Sequence, residues 1–271
     1  MKFPVAIQLY TVRDAAKEDF YGTLKQIKEM GYDGVEFAGL HGHTPEEVRD
    51  MVNELGLIPI SAHVAYVDMI ADPDGVFEAY KTIGCKYITI PYLNEEHRPG
   101  SDKFEEVMAS IEKLGMLAKK HGLTLLYHNH DFEFIMINGE YGLDILYKVV
   151  PAEALQTEID TCWVNVGGEN PAEYLLKYTG RAPVLHLKDF EGEKSEDMYE
   201  LIGINRKAPA RPANFGFRPV GYGKQNFPQI LEAAEKAGVQ WVVVEMDRAP
   251  EGQTPLECAK LSRDYLKSIG C

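Results

Sequence analysis

Ala237-Gly238-Val239-Gln240-Trp241-Val242-Val243-Val244-Glu245 carries the reading that decides the fold. A helical pattern over 228–237 stops at Gly238, where glycine takes the left-handed C′ position without steric cost. The chain turns at once into a short apolar run and ends it on a carboxylate. Met30-Gly31-Tyr32 and His121-Gly122-Leu123 repeat the helix-end phrase upstream.

Working outward, eight apolar runs lie at 4–10, 34–37, 58–63, 87–91, 123–128, 155–160, 184–188 and 241–245. Several are near-continuous Val/Ile/Leu stretches, the pattern of strands covered on both faces. Helical patterns separate them. Phe20, Leu24, Ile27 and Met30 form one stripe, and Val107, Ile111, Leu114, Leu117 and Ala118 form another. Thr44 followed by Pro45 reads as an N-cap with proline in the first turn, and that helix stops at Gly56. A further helix spans 254–268. Eight alternations predict an α/β fold, a single (β/α)8 TIM barrel over 1–271. An open doubly wound sheet would place a glycine-rich turn after the first strand, and Gln8-Leu9-Tyr10-Thr11 is not one.

The bulk numbers narrow the function class. With 42 acidic and 28 basic residues the net charge is −14, a field that repels polyanions and argues against a nucleic-acid partner. No run approaches the roughly 18 apolar residues of a membrane span, and no secretory leader pattern is present. Cys85, Cys162, Cys258 and Cys271 are scattered, without metal-ribbon or disulfide spacing. A cytoplasmic enzyme is the expectation. One long segment, about 189–227, shows no clear strand and reads as a loop or lid. Its basic stretch, with Arg206, Lys207, Arg211 and Arg218, reads as a homo-oligomer contact, a solvated face or a cover over substrate. Gly221-Tyr222-Gly223-Lys224 reads as an ordinary turn before a phosphate loop.

A barrel of this kind places its site at the C-terminal strand ends. Those ends carry Gln8, Glu36, His63, Tyr92, His128 with His130, Asp160, His186 with Lys188, and Glu245 with Asp247. His128, Asp160, His186 and Glu245 come from four successive strands. Two imidazoles and two carboxylates suit one divalent ion, Mn²⁺, Co²⁺ or Zn²⁺ above Mg²⁺. Alternation puts His186 and Lys188 on one strand face. Lys188 is a candidate to bind substrate or stabilise developing negative charge. Trp163 either stacks on a sugar or simply packs. His41 and His43 are expected at the mouth.

Several phrases, in order, resemble the sugar phosphate isomerase/epimerase superfamily of xylose isomerase-like TIM barrels, with inosose dehydratases as relatives. They are Ile7-Gln8-Leu9-Tyr10-Thr11-Val12-Arg13-Asp14, Gly31-Tyr32-Asp33-Gly34-Val35-Glu36, Ser61-Ala62-His63, Tyr127-His128-Asn129-His130-Asp131-Phe132-Glu133-Phe134, Glu158-Ile159-Asp160-Thr161, His186-Leu187-Lys188-Asp189 and Glu245. The resemblance implies a carbohydrate substrate and a metal held from strands five to eight. Asp160, His186 and Glu245 match directly, whereas His128 stands where the family usually has glutamate. It implies a metal-dependent sugar, sugar-phosphate or polyol isomerase or epimerase working through an enediolate. Catalytic candidates are Glu245, His128 and Lys188, and substrate-binding candidates are Gln8, Glu36, His63, His130, Trp163, Lys188 and Asp247. His128 raises a lyase alternative, dehydrating a keto-polyol or eliminating from a 3-keto-glycoside. Glu133 and Glu158 are spare carboxylates for the ligand set. An apurinic-endonuclease-like hydrolase shares the barrel, but the charge and the shortage of further strand-end ligands argue against it. A non-enzymatic sugar binder is the last alternative.

Overall fold

Residues 3–193 and 215–271 are described by a computed structural model. The eight apolar runs form eight parallel strands: β1 (Val5–Gln8), β2 (Gly34–Phe37), β3 (Ile58–Ala62), β4 (Tyr87–Ile90), β5 (Thr124–His128), β6 (Gln156–Asp160), β7 (Val184–Leu187) and β8 (Trp241–Val244). They pair in sequence order, β8 pairs back to β1, and β3 meets β4 through a His63–Thr89 bridge, which closes the barrel.

The outer helices begin and end where side-chain chemistry dictates. At Pro45–Leu55 the Thr44 hydroxyl accepts from Glu47 N while Glu47 accepts from Thr44 N, a reciprocal cap over a proline first turn. Pro255–Ser268 repeats the device with Thr254 and Glu257. Gly31 and Gly238, at φ +92° and +81°, adopt the left-handed turn that sends each chain straight into β2 or toward β8. No helix among the described residues is long and apolar enough to cross a membrane.

Strand alternation sorts the interior into two cores. Val5, Ile7, Val35, Phe37, Ile88, Ile90, Leu185, Leu187, Val242 and Val244 point outward and are buried beneath the helices. Ala6, Ile60, Tyr87, Leu126, Val184 and Val243 point inward and plug the barrel floor. Two residues further along β1, β4, β5, β7 and β8 the inward positions turn polar, at Gln8, Thr89, His128, His186 and Glu245. The register between β2 and β3 slips between Val35 and Glu36, setting Glu36 opposite Ser61 and bringing Ser61 to its level.

The 189–227 segment departs from its reading. Asp189–Glu191 and Gly216–Arg218 form a small antiparallel pair, with Asp189 opposite Arg218. Three-residue strands are too short to show alternation. Arg218 pairs with Glu191; Arg206, Lys207 and Arg211 lie outside the described residues.

Candidate functional site

Above the apolar floor the barrel holds two polar layers. The upper one is His128, Asp160, His186 and Glu245, each offering one donor atom with all four within 4.8 Å. The lower one is Glu36, His63, Glu158 and, again, His186. Register explains the meeting: His186 lies opposite Asp160 on β6 and Val243 on β8, so Glu245 follows one inward position above.

The upper layer has the spacing of a coordination shell. His128 Nε2 stands 3.4 Å from Asp160 Oδ2 and 3.6 Å from Glu245 Oε2, and His186 Nδ1 stands 3.2 Å from the same Glu245 oxygen. Ligands bound 2.0–2.2 Å from one ion sit about 3.0–3.6 Å apart. His128 Nδ1 lies 3.1 Å from the Pro91 carbonyl, which makes Nδ1 the donor and aims the Nε2 lone pair inward. His128 Nε2 and Asp160 Oδ2 are buried without a hydrogen-bond partner. An orphaned nitrogen facing an orphaned carboxylate oxygen fits a divalent cation. Burial opposes charge on His128, but Asp160 and Glu245 raise its basicity, so a proton and a cation compete for that nitrogen.

The lower layer is satisfied around Glu36, while Glu158 Oε1 has no hydrogen-bond partner. Glu36 is wholly buried, and accepts from Gln8 Nε2 at 2.8 Å, from His186 Nε2 at 2.7 Å and from the Ser61 hydroxyl. His63 Nε2 lies 2.8 Å from Glu158 and 3.1 Å from Glu36. Burial disfavours the His63 cation, yet these two carboxylates push its pKa up to about 10. In return His63 and His186 outweigh burial and hold the Glu36 carboxyl well below the usual range.

Lys188, buried at the edge of the upper layer, reaches Asp247 at 2.6 Å and Glu245 at 3.1 Å. Burial alone would strip its proton; Asp247, Glu245 and Asp160 hold the ammonium. Its amine also lies 5.1 Å from the Trp163 ring. Burial raises the Asp247 carboxyl despite Lys188, and burial, helped by His128 and Lys188, keeps His130 neutral. Asp247, Glu245, Lys188, His128, His130 and His63 all face a cavity of about 460 Å³, within the range of small-molecule sites.

Not every expected contact reaches that cavity. Gln8 and Glu36 lie beneath it, and Trp163, 1% exposed, packs behind Lys188. His41 and His43 stack on Phe20 and are not among the lining residues. Tyr10, Arg13 and Asp68 do line it. Tyr10 and Arg13 stood inside a quoted phrase; Asp68, in the short helix Tyr66–Ala71 after β3, had no sequence signal.

A xylose isomerase-like TIM barrel family model matches residues 24–269. The chain belongs to that family. Among family relatives, an inosose dehydratase of Mesomycoplasma hyopneumoniae is 24% identical, covering 92% of this chain and 88% of its own length. A sugar phosphate isomerase/epimerase structure from Parabacteroides distasonis superposes with a TM-score of 0.79 at 20% identity, over 100% of this chain and 95% of the other. A xylose isomerase-like TIM barrel protein of Mycobacterium smegmatis, solved in complex with magnesium, gives 0.70 at 15% identity, over 98% and 96%.

Within this family member, carboxylates and amides brace the loops that carry the site. Asn129 Oδ1 accepts from Asp160 N at 3.0 Å, tying the end of β5 to β6. Glu133 accepts from Tyr127 OH at 2.6 Å and His130 N at 2.8 Å, fixing the turn that presents His130. Burial raises its pKa to about 7 against those hydrogen bonds. Asp189 accepts from the amides of Gly221, Gly223 and Gln225 at 3.0, 2.8 and 3.1 Å. The Gly221–Lys224 turn therefore has a carboxylate where a phosphate loop would hold its anion.

Proposed function

We propose that this protein is a divalent-metal-dependent sugar or polyol isomerase or epimerase, working through an enediolate. The observation that carries the reading is the pair of orphaned, buried donor atoms, His128 Nε2 and Asp160 Oδ2, converging with His186 and Glu245 at the base of the cavity. His128, Asp160, His186 and Glu245 would hold the ion. When bound, a divalent cation polarises a carbonyl and its neighbouring hydroxyl and stabilises the charge left when a carbon-bound proton departs.

The chain's own groups then divide the work. Burial opposes charge on Glu245, but Lys188, His128 and His186 keep it ionised and able to take the proton. The Lys188 ammonium offsets negative charge on the substrate oxygens. His130, neutral and facing the same cavity, would hydrogen-bond a substrate hydroxyl.

Dehydration is the second reading, and one observation favours it. Lys188 is a buried cationic acid beside Glu245, placed to protonate a departing β-hydroxyl, and the inosose dehydratase relative spans most of the chain. Metal-loaded protein incubated with ketoses, a keto-inositol and 3-keto-glycosides in D₂O separates the two. Deuterium gained without loss of water supports isomerisation or epimerisation, and an unsaturated product supports elimination. Turnover that survives exhaustive chelation sinks both.

A further inference from the structure

Resting on that reading of the upper layer, we infer that Glu36 is a positioning residue: it fixes His186 as the Nε2–H tautomer, so that only Nδ1 is offered to the cation. A neutral imidazole has one lone pair to give, and His186 sits between two claimants. Its Nδ1 lies 3.2 Å from Glu245, in the open layer, and its Nε2 lies 2.7 Å from Glu36, in the closed one. A carboxylate is an acceptor only, so a 2.7 Å contact demands the hydrogen on Nε2. The ring is thereby held edge-on to the upper layer, with its free nitrogen toward Glu245.

Glu36 in turn has no freedom to release it. Tyr10 N donates to Gln8 Oε1 at 2.9 Å, which sets the Gln8 amide so that Nε2 donates to Glu36 Oε1 at 2.8 Å. The Ser61 hydroxyl donates to the other carboxylate oxygen. A chain of hydrogen bonds thus runs from the backbone after β1, through β2, to the ligand on β7, crossing the barrel. The same hydrogen bonds argue that Glu36 is a support for His186 and not itself a cation ligand. Every strong contact Glu36 makes is to a hydrogen-bond donor, and the 2.7–3.1 Å spacings around it are hydrogen-bond lengths. Groups in this relation to a metal-bound histidine typically contribute 10–100-fold to metal affinity.

The test uses the full chain, stripped of metal and titrated with Zn²⁺ and Co²⁺ against a chromophoric chelator. Wild type is expected to take one ion per chain. Glu36→Gln, which keeps the shape but offers an amide, is expected to bind about 10–100-fold more weakly, with an altered Co²⁺ visible spectrum and unchanged far-UV circular dichroism. Long-range ¹H–¹⁵N NMR of Zn²⁺-loaded wild type needs no variant and is expected to find His186 protonated on Nε2. Affinity of Glu36→Gln within about 2-fold of wild type, a proton on Nδ1, or a second stoichiometric ion would each overturn the inference. Failure of wild type to bind any ion would be a different result, removing the proposed function itself.

Discussion

The two polar layers of the barrel are built from the same residue types and share His186, yet they differ in what remains unsatisfied. In the upper layer the nearest His–carboxylate spacings are 3.2, 3.4 and 3.6 Å, and two donor atoms have no hydrogen-bond partner. In the lower layer the spacings are 2.7, 2.8, 3.1 and 3.6 Å, Gln8 and Ser61 supply further donors to Glu36, and one atom, Glu158 Oε1, has no partner. Burying an unpartnered carboxylate or imidazole costs several kcal/mol. A fold that tolerates this cost at two facing atoms, one inward position above the fully hydrogen-bonded Glu36, is keeping those atoms for a ligand. Donor satisfaction, more than residue identity, separates a binding layer from a supporting one.

The strongest way to break the comparison is to substitute one member of each layer. Asp160→Ala removes an upper donor, and is expected to abolish stoichiometric metal and to lower turnover by roughly three orders of magnitude or more. Metal analysis and single-turnover assays read both. A variant that keeps its ion and loses less than tenfold in rate would place the binding layer elsewhere. His63→Leu acts on the lower layer. It leaves Glu36 and Glu158 buried without one of their cations, and is expected to destabilise the fold by roughly 3–5 kcal/mol while the protein still binds one ion. Denaturant titration measures the first quantity and chelator competition the second. Unchanged stability with lost metal would reverse the assignment of the two layers.

Glu133 sharpens the same contrast from outside both layers. It is as buried as Glu36, but it faces a tyrosine hydroxyl and a backbone amide instead of two histidine rings. Burial therefore wins, and its pKa rises to about 7 from 4.5. A carboxyl raised in the folded state contributes stability that is fully present below about pH 4.5 and is lost as pH rises through 7. The shift corresponds to at most about 3 kcal/mol. Glu133→Gln removes this titration, so the stability gap between wild type and variant should be widest near pH 4.5 and narrow toward pH 7. Equilibrium unfolding across that range gives the gap, and a gap independent of pH would contradict the assigned environment.

Much of this architecture was legible because long-range order here repeats a local rule. A glycine-stopped helix feeding an apolar strand recurs, as at Gly31, Gly122 and Gly238, and that recurrence is visible one segment at a time. The convergence of 128, 160, 186 and 245 followed from placing polar residues at strand ends. What escaped has a physical reason in each case. Glu36 read as either a substrate or a supporting group, and Gln8 as a substrate group, because strand-end position does not report depth; both lie beneath the cavity. The hairpin of Met136–Ile137 and Glu140–Tyr141 turns on Asn138-Gly139, both at positive φ, a tight-turn signal flanked by strands only two residues long. Asp68 lines the cavity from the helix Tyr66–Ala71, whose six residues are too few to show a helical period.

The smallest predicted effect concerns another residue lining the cavity. Arg13 donates one hydrogen bond, to Tyr10 O at 2.8 Å, and lies over the Tyr10 ring at 4.1 Å. Among the described residues it has no carboxylate partner, whereas Lys188, which lines the same cavity, has three. By the criterion that separates the polar layers, a guanidinium with unused donors facing the cavity belongs to substrate recognition. It is partly exposed, so water screens it, and its contribution should be only about 1 kcal/mol, or roughly 5- to 10-fold in KM. Arg13→Ala is therefore expected to raise KM for the substrate found in the D₂O panel and to leave kcat and metal content unchanged. A fall in kcat at constant KM would move Arg13 into the chemical step and show that unused donors on this wall do not follow the rule that orders the barrel interior.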